Sequence, residues 1–70
     1  ACCSRKKRYL DATRRYYNKV ANYYDAQMDD EDSGENHPDT LTKVEAARQE
    51  MEDALRLMSE REREMNEKCN

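Results

Sequence analysis

Residues 29–40 read DDEDSGENHPDT, and this stretch decides the fold. It holds the chain's only glycine, Gly34, its only proline, Pro38, and its only histidine, His37. Helix breakers gathered in one place mark one turn. The proline drives His37 out of the helical region, Asp39 is placed to cap the helix that follows, and Thr42 with Glu45 has capping-box spacing. The expectation is an all-α, antiparallel two-helix hairpin forming a single domain over 1–70. Helix 1 runs over about 3–29, an acidic loop over about 30–38, and helix 2 over about 39–68.

Outward from the turn, both flanks carry a helical period. Cys3, Leu10, Tyr17 and Tyr24 recur every seventh residue, with Lys6, Thr13, Val20 and Gln27 three after each. On the far side Leu41, Arg48, Leu55, Glu62 and Cys69 recur likewise, followed by Val44, Met51, Met58 and Met65. Alternating spacings of three and four define a coiled-coil seam, here interrupted by Lys6, Arg48 and Glu62. The core seam read from this pattern is Leu10, Tyr17, Val20, Tyr24, Leu41, Val44, Met51, Leu55, Met58 and Met65. Turning near residue 36 pairs residues whose numbers sum to about 72. Cys3 then meets Cys69, Tyr17 meets Leu55, and Tyr24 meets Arg48 in a cation–π contact. Tyr9, Tyr16 and Tyr23 form a flanking stripe opposite Arg61, Ala54 and Ala47, large rings against small groups.

The register answers why thiols sit at both ends of the chain. One thiol of the pair bonds to Cys69 and closes the open end. Cys3 is favoured by its place on the seam, with Cys2 as the alternative. A Cys3–Cys69 bond leaves Cys2 free or available for an intermolecular bond that links two chains. Such a staple suits a chain of 70 residues that is only 36% hydrophobic and lacks Phe and Trp. A core this small needs a covalent, metal or partner contribution. Paired cysteines also point to an oxidising, secreted setting, with a cytoplasmic location as the alternative. The chain starts at Ala1, which is expected of either a cleaved leader or an excised piece. Adjacent Cys2 and Cys3 before SRKKR also fit a palmitoylated juxtamembrane stretch, a reading that competes with the staple.

Charge is unevenly placed. Residues 1–28 carry net +5, residues 29–40 net −6 and residues 41–70 net −2. Arg5, Lys6, Lys7, Arg8, Arg14 and Arg15, with Tyr9, Tyr16 and Tyr23, make the candidate interaction surface. It is suited to a protein partner, to self-association as a homodimer that forms a four-helix bundle, or to an anionic membrane. Nucleic acid is disfavoured, because Glu60, Glu62, Glu64 and Glu67 are brought to the same end and offer internal neutralisation.

Catalysis is not expected. One histidine in a charged loop, on a fold without a concave pocket, offers no oriented acid–base group. No metal or cofactor is expected either. Asp29, Glu31, Ser33, Gly34 and Glu35 imitate the start of a calcium loop, but Thr40 stands where the bidentate glutamate belongs, and Asn36 where an apolar residue does. Zinc is disfavoured by the length of a helix separating His37 from Cys2, Cys3 and Cys69.

Two resemblances bear on function. Cys3 and Cys69, third from the start and next to last, resemble the terminal cysteines of secretoglobins, small secreted helical dimers. That likeness implies a buried apolar ligand cavity. The low apolar content and two long helices in place of four short ones depart from that family. RYLDATRRYY (8–17) and DTLTKVEAARQEMEDALRLMSE (39–60) look like the tip hairpin of a membrane-bending BAR domain, with no fingerprint motif. The expected function is non-catalytic. It is either a secreted helical ligand that presents a rigid surface to a protein or membrane, or an arm excised from an intracellular scaffold.

Overall fold

The structure, a computed structural model, describes residues 2–32 and 38–69. Helix α1 spans Cys2–Asp32 and helix α2 spans Pro38–Cys69. The two pack against each other along their length into a rod of 51 × 13 × 12 Å. The turn residues Ser33 to His37 lie outside the described residues, as do the side chains of Pro38, Asp39 and Thr40. Expectations about capping by Asp39 and about His37 fall there.

Both helices have simple causes. Neither contains an internal glycine or proline, and the second half is rich in Glu, Arg, Ala, Met and Leu, which lose little rotamer freedom in a helix. α2 opens on Pro38, where the fixed φ of the ring suits the first helical position and the missing N–H is no loss. α1 continues past residue 29 through the acidic run to Asp32. Its ends are charged against its own dipole, with no acid in the first turn and no base in the last. Each misplaced charge costs the helix about 0.3–1 kcal/mol at low salt.

The packing face of α1 differs from the expected one. Leu10, Tyr17 and Tyr24 are 58%, 64% and 59% exposed, so they do not lie in the seam. The half-buried and buried positions are Cys2, Arg5, Tyr9, Ala12, Tyr16, Lys19, Tyr23, Ala26 and Asp30, with Thr13, Val20 and Gln27 beside them. That is the same three-and-four spacing displaced by one residue, a rotation of about 100° about the helix axis. On α2 the expected Val44, Met51, Met58 and Met65 are half-buried. Their companion column is Ala47, Ala54 and Arg61 in place of Leu41, Arg48 and Leu55.

Ring size against methyl size explains the choice. Ala12 and Ala54 are the buried core residues, and no large side chain among the described residues is fully buried. Placing alanines in the inward columns gives the larger side chains of the facing helix room to lie across the interface. Tyr9, Tyr16 and Tyr23 then lie along the interface with their rings half covered. A Leu10–Tyr17–Tyr24 seam would have held the helices apart and left no small residues to interdigitate.

The register shifts with the rotation. Arg5 pairs with Glu64 at 3.8 Å and Lys19 with Glu50 at 3.7 Å across the helices. These pairs sum to 69, and the disulfide partners Cys2 and Cys69 sum to 71. The expected Cys3–Cys69 bond is corrected accordingly. Cys2 shares the inward column with Tyr9 and Tyr16, and its Cα lies 5.1 Å from that of Cys69, while Cys3 points outward as a free, exposed thiol. Cys2 is thus unavailable to link two chains. The closed loop spans 67 residues of separation, worth about 4 kcal/mol in the chain-entropy account.

Candidate interaction surface

An antiparallel pair of helices has two open flanks. One is set by the columns preceding each inward position, the other by the columns following it. In this hairpin the two flanks differ in character.

The first flank is charged. Arg8, Asp11, Ala12 and Arg15 of α1 and Leu57 and Arg61 of α2 line an open depression of about 340 Å³. Arg61 donates through Nη1 to both carboxylate oxygens of Glu64, at 3.2 and 3.1 Å, and Glu64 also faces Arg5. Arg8 and Arg15 of this flank, and Lys6, Lys7 and Arg14 on the other side of α1, form no ion pair among the described residues. The expected internal neutralisation reaches only Arg5 and Lys19.

The second flank carries an apolar stripe, bordered by Lys6, Lys7 and Arg14 of α1, with Arg48 and Glu62 in the column of Leu41 and Leu55 on α2. Val20 is half-buried between the helices, and the outward stripe Leu10–Tyr17–Tyr24 runs beside it. Helical spacing sets Leu41 and Leu55 on the side of α2 that borders the same flank. Both leucines are exposed, as is Met28 near the far end of the stripe. Each outward tyrosine leans on its inward neighbour. The rings of Tyr16 and Tyr17 are 5.5 Å apart and tilted by 55°, and those of Tyr23 and Tyr24 are 5.9 Å apart and tilted by 47°. These offset contacts hold the exposed rings in place without covering them.

Local hydrogen bonds fix the backbone beneath. Thr13 Oγ1 donates to the Tyr9 carbonyl at 2.9 Å, and Gln27 Nε2 donates to Tyr23 Oη at 3.0 Å. Arg48 does not reach Tyr24. Its Nη2 donates to Glu45 at 2.5 Å in its own helix, and that hydrogen bond and charge raise the guanidinium pKa above its ordinary value. Asp53 likewise accepts from Arg56. These pairs lie within one helix and are spaced three apart, so they support α2 and leave the flanks open.

Of the residues expected at the interaction surface, Lys6, Lys7, Arg8, Arg14 and Arg15 are exposed. Tyr9, Tyr16, Tyr23 and Arg5 are half-buried on the inward side of α1. Leu10, Tyr17 and Tyr24, expected in the core, take the outward place. The signal that separates the two sets is the alanine column, Ala12 with Ala26 on α1 and Ala47 with Ala54 on α2, which marks the covered side of each helix. Among the described residues no group of three metal-binding side chains comes together, and no helix is long and apolar enough to cross a membrane. No family model matches the chain, and neither a curated protein nor a solved structure resembles it at a significant level, so the secretoglobin and BAR likenesses gain no support.

Proposed function

We propose that this chain is a non-catalytic binding protein of an oxidising, extracellular setting, a rigid helical hairpin that docks through its apolar flank onto a helix-rich protein surface. One observation carries the reading. The hairpin buries two alanines and leaves Leu10, Tyr17, Tyr24, Met28, Leu41 and Leu55 in water. Exposed apolar side chains aligned as a heptad stripe have the form of a helix-docking surface. The disulfide supports the setting and supplies rigidity, since closing the open end lowers the entropy lost on docking. Tyrosines suit the task because they offer large contact area with few rotatable bonds. A membrane-surface role would use the same stripe with Lys6, Lys7 and Arg14 that border it, but the stripe lacks the Trp and Phe that favour interfacial insertion.

The experiment places a photoreactive benzoylphenylalanine at Tyr17, or at Glu52 as a control on the polar side, in the oxidised chain within its native fluid. The reading expects protein adducts from position 17, mapped to helical segments, and few from position 52. Equal yields from both positions would sink it. So would preferential partitioning to phosphatidylserine vesicles at physiological salt. Alkylation of material from the native source tests the setting. Cys2 and Cys69 should be protected until reductant is added.

A further inference from the structure

The apolar flank and the charge distribution together identify an occupant. The open half of the hairpin, residues 1–19 with 52–70, holds eleven basic and seven acidic residues, net +4. The turn half, residues 20–51, holds two basic and nine acidic, net −7. The rod therefore carries opposite charge at its two ends. On α1 this arrangement opposes the helix dipole at both termini, so intrinsic helix stability does not account for it.

We infer that the partner on this flank is a second copy of the same chain, docked antiparallel about a two-fold axis perpendicular to the rod near Tyr17. The proposal rests on the docking reading above and names its partner. With the axis at Tyr17, Tyr17 meets its symmetry mate, and Leu10 of each copy meets Tyr24 of the other. The basic run 5–8 lies ~16 Å to one side of the axis and the acidic run 29–32 ~20 Å to the other, at ~1.5 Å per residue. The two-fold thus sets each basic run against the other copy's acidic run. A parallel pairing about an axis along the rod would align the same stripe and bring Cys3 to Cys3. It would also stack like charges at both ends, which an unscreened pair within a Debye length of ~10 Å resists. Charge complementarity selects the antiparallel form.

The area is adequate. Six side chains at roughly 100 Å² each leave about 600 Å² of apolar surface per copy, close to the ~800 Å² per partner of a standard interface. An isologous contact of this kind yields an antiparallel four-helix bundle, in which the second heptad column of α1 becomes a seam of its own. Cys3, in the same column, is set against Glu31 of the other copy, far from its symmetry mate, and forms no bond between the copies.

Sedimentation equilibrium on the oxidised Cys3→Ser chain should give twice the chain mass, and the dissociation constant should rise tenfold or more between 0.05 and 0.5 M salt. A Tyr17→Cys substitution in that background should form a covalent dimer when oxidised glutathione accepts the two electrons and two protons of the paired thiols. Leu10→Cys should not. Replacing Lys6, Lys7 and Arg8 with Glu, or Asp29, Glu31 and Asp32 with Lys, should abolish each homodimer, while the two variants mixed should pair. Rapid Cys3–Cys3 bonding in the unaltered chain, or efficient Leu10→Cys linkage, would overturn the antiparallel arrangement. A monomer at millimolar concentration would overturn self-pairing altogether. If position 17 still gave protein adducts in the photochemical experiment, the docking reading would survive that failure; if it gave none, both would fall.

Discussion

Tyr16 and Tyr17 are adjacent in the chain, and their ring centroids lie 5.5 Å apart, yet they belong to different surfaces. Tyr16 is half covered by α2, and Tyr17 faces solvent. The same division recurs one heptad later at Tyr23 and Tyr24. One side of each pair holds the hairpin together, and the other is available to a partner.

The two tyrosines of each pair should therefore respond differently to truncation. Tyr16→Ala should lower the unfolding free energy by about 1–3 kcal/mol at any protein concentration, since it removes half-buried contact area. Tyr17→Ala should leave the isolated hairpin within ~0.5 kcal/mol of its parent and change only the concentration-dependent part. Urea denaturation followed by circular dichroism at two concentrations separates them, and matching losses for the two variants would contradict the assigned faces.

Packing of the helices rests on Ala12 and Ala54, both buried. Leucine at either position should force the axes apart and cost about 1–3 kcal/mol through overpacking. Leucine at the exposed Ala21 should be neutral. If Ala12→Leu stabilised the chain, the inward column would have been misplaced.

Closure through Cys2 makes a third expectation. Reduction, or Cys69→Ser, should lower stability by about 4 kcal/mol in the chain-entropy account, enough to unfold much of a hairpin with so thin a core. Cys3→Ser should leave the melting temperature unchanged. Peptide mapping of the oxidised chain should recover Cys2 joined to Cys69, and a Cys3–Cys69 peptide as the main product would reverse the assignment.

The cross-helix pairs Arg5–Glu64 and Lys19–Glu50 are partly exposed and longer than a hydrogen bond. A double-mutant cycle on Lys19 and Glu50 should give a coupling of about 0.5 kcal/mol or less, shrinking with added salt. A coupling well above 1 kcal/mol would mean that the charged flank contributes to the fold itself.

Two helices, one turn and ends brought side by side were legible in the sequence. The reason is local: breakers cluster in one stretch, and propensity elsewhere favours helix throughout. The presence of a terminal disulfide was legible too, because a doubled-back chain carries its end cysteines together. Which cysteine forms it was not. α1 has two heptad columns one residue apart, Cys2–Tyr9–Tyr16–Tyr23 and Cys3–Leu10–Tyr17–Tyr24, and apolar content ranks the second above the first. Hydrophobicity alone therefore favours the wrong face.

What decided between the columns is a property of the pair of helices. Each alanine must face a large side chain of the other helix, as the register sets Ala54 against Tyr16 and Ala47 against Tyr23, and that condition couples positions far apart in the chain. Periodicity along one helix contains no such term. The sequence determined the hairpin, through turn chemistry and helix propensity. Only the tertiary structure decided which stripe is core and which remains open to a partner, because that choice depends on how two surfaces interlock.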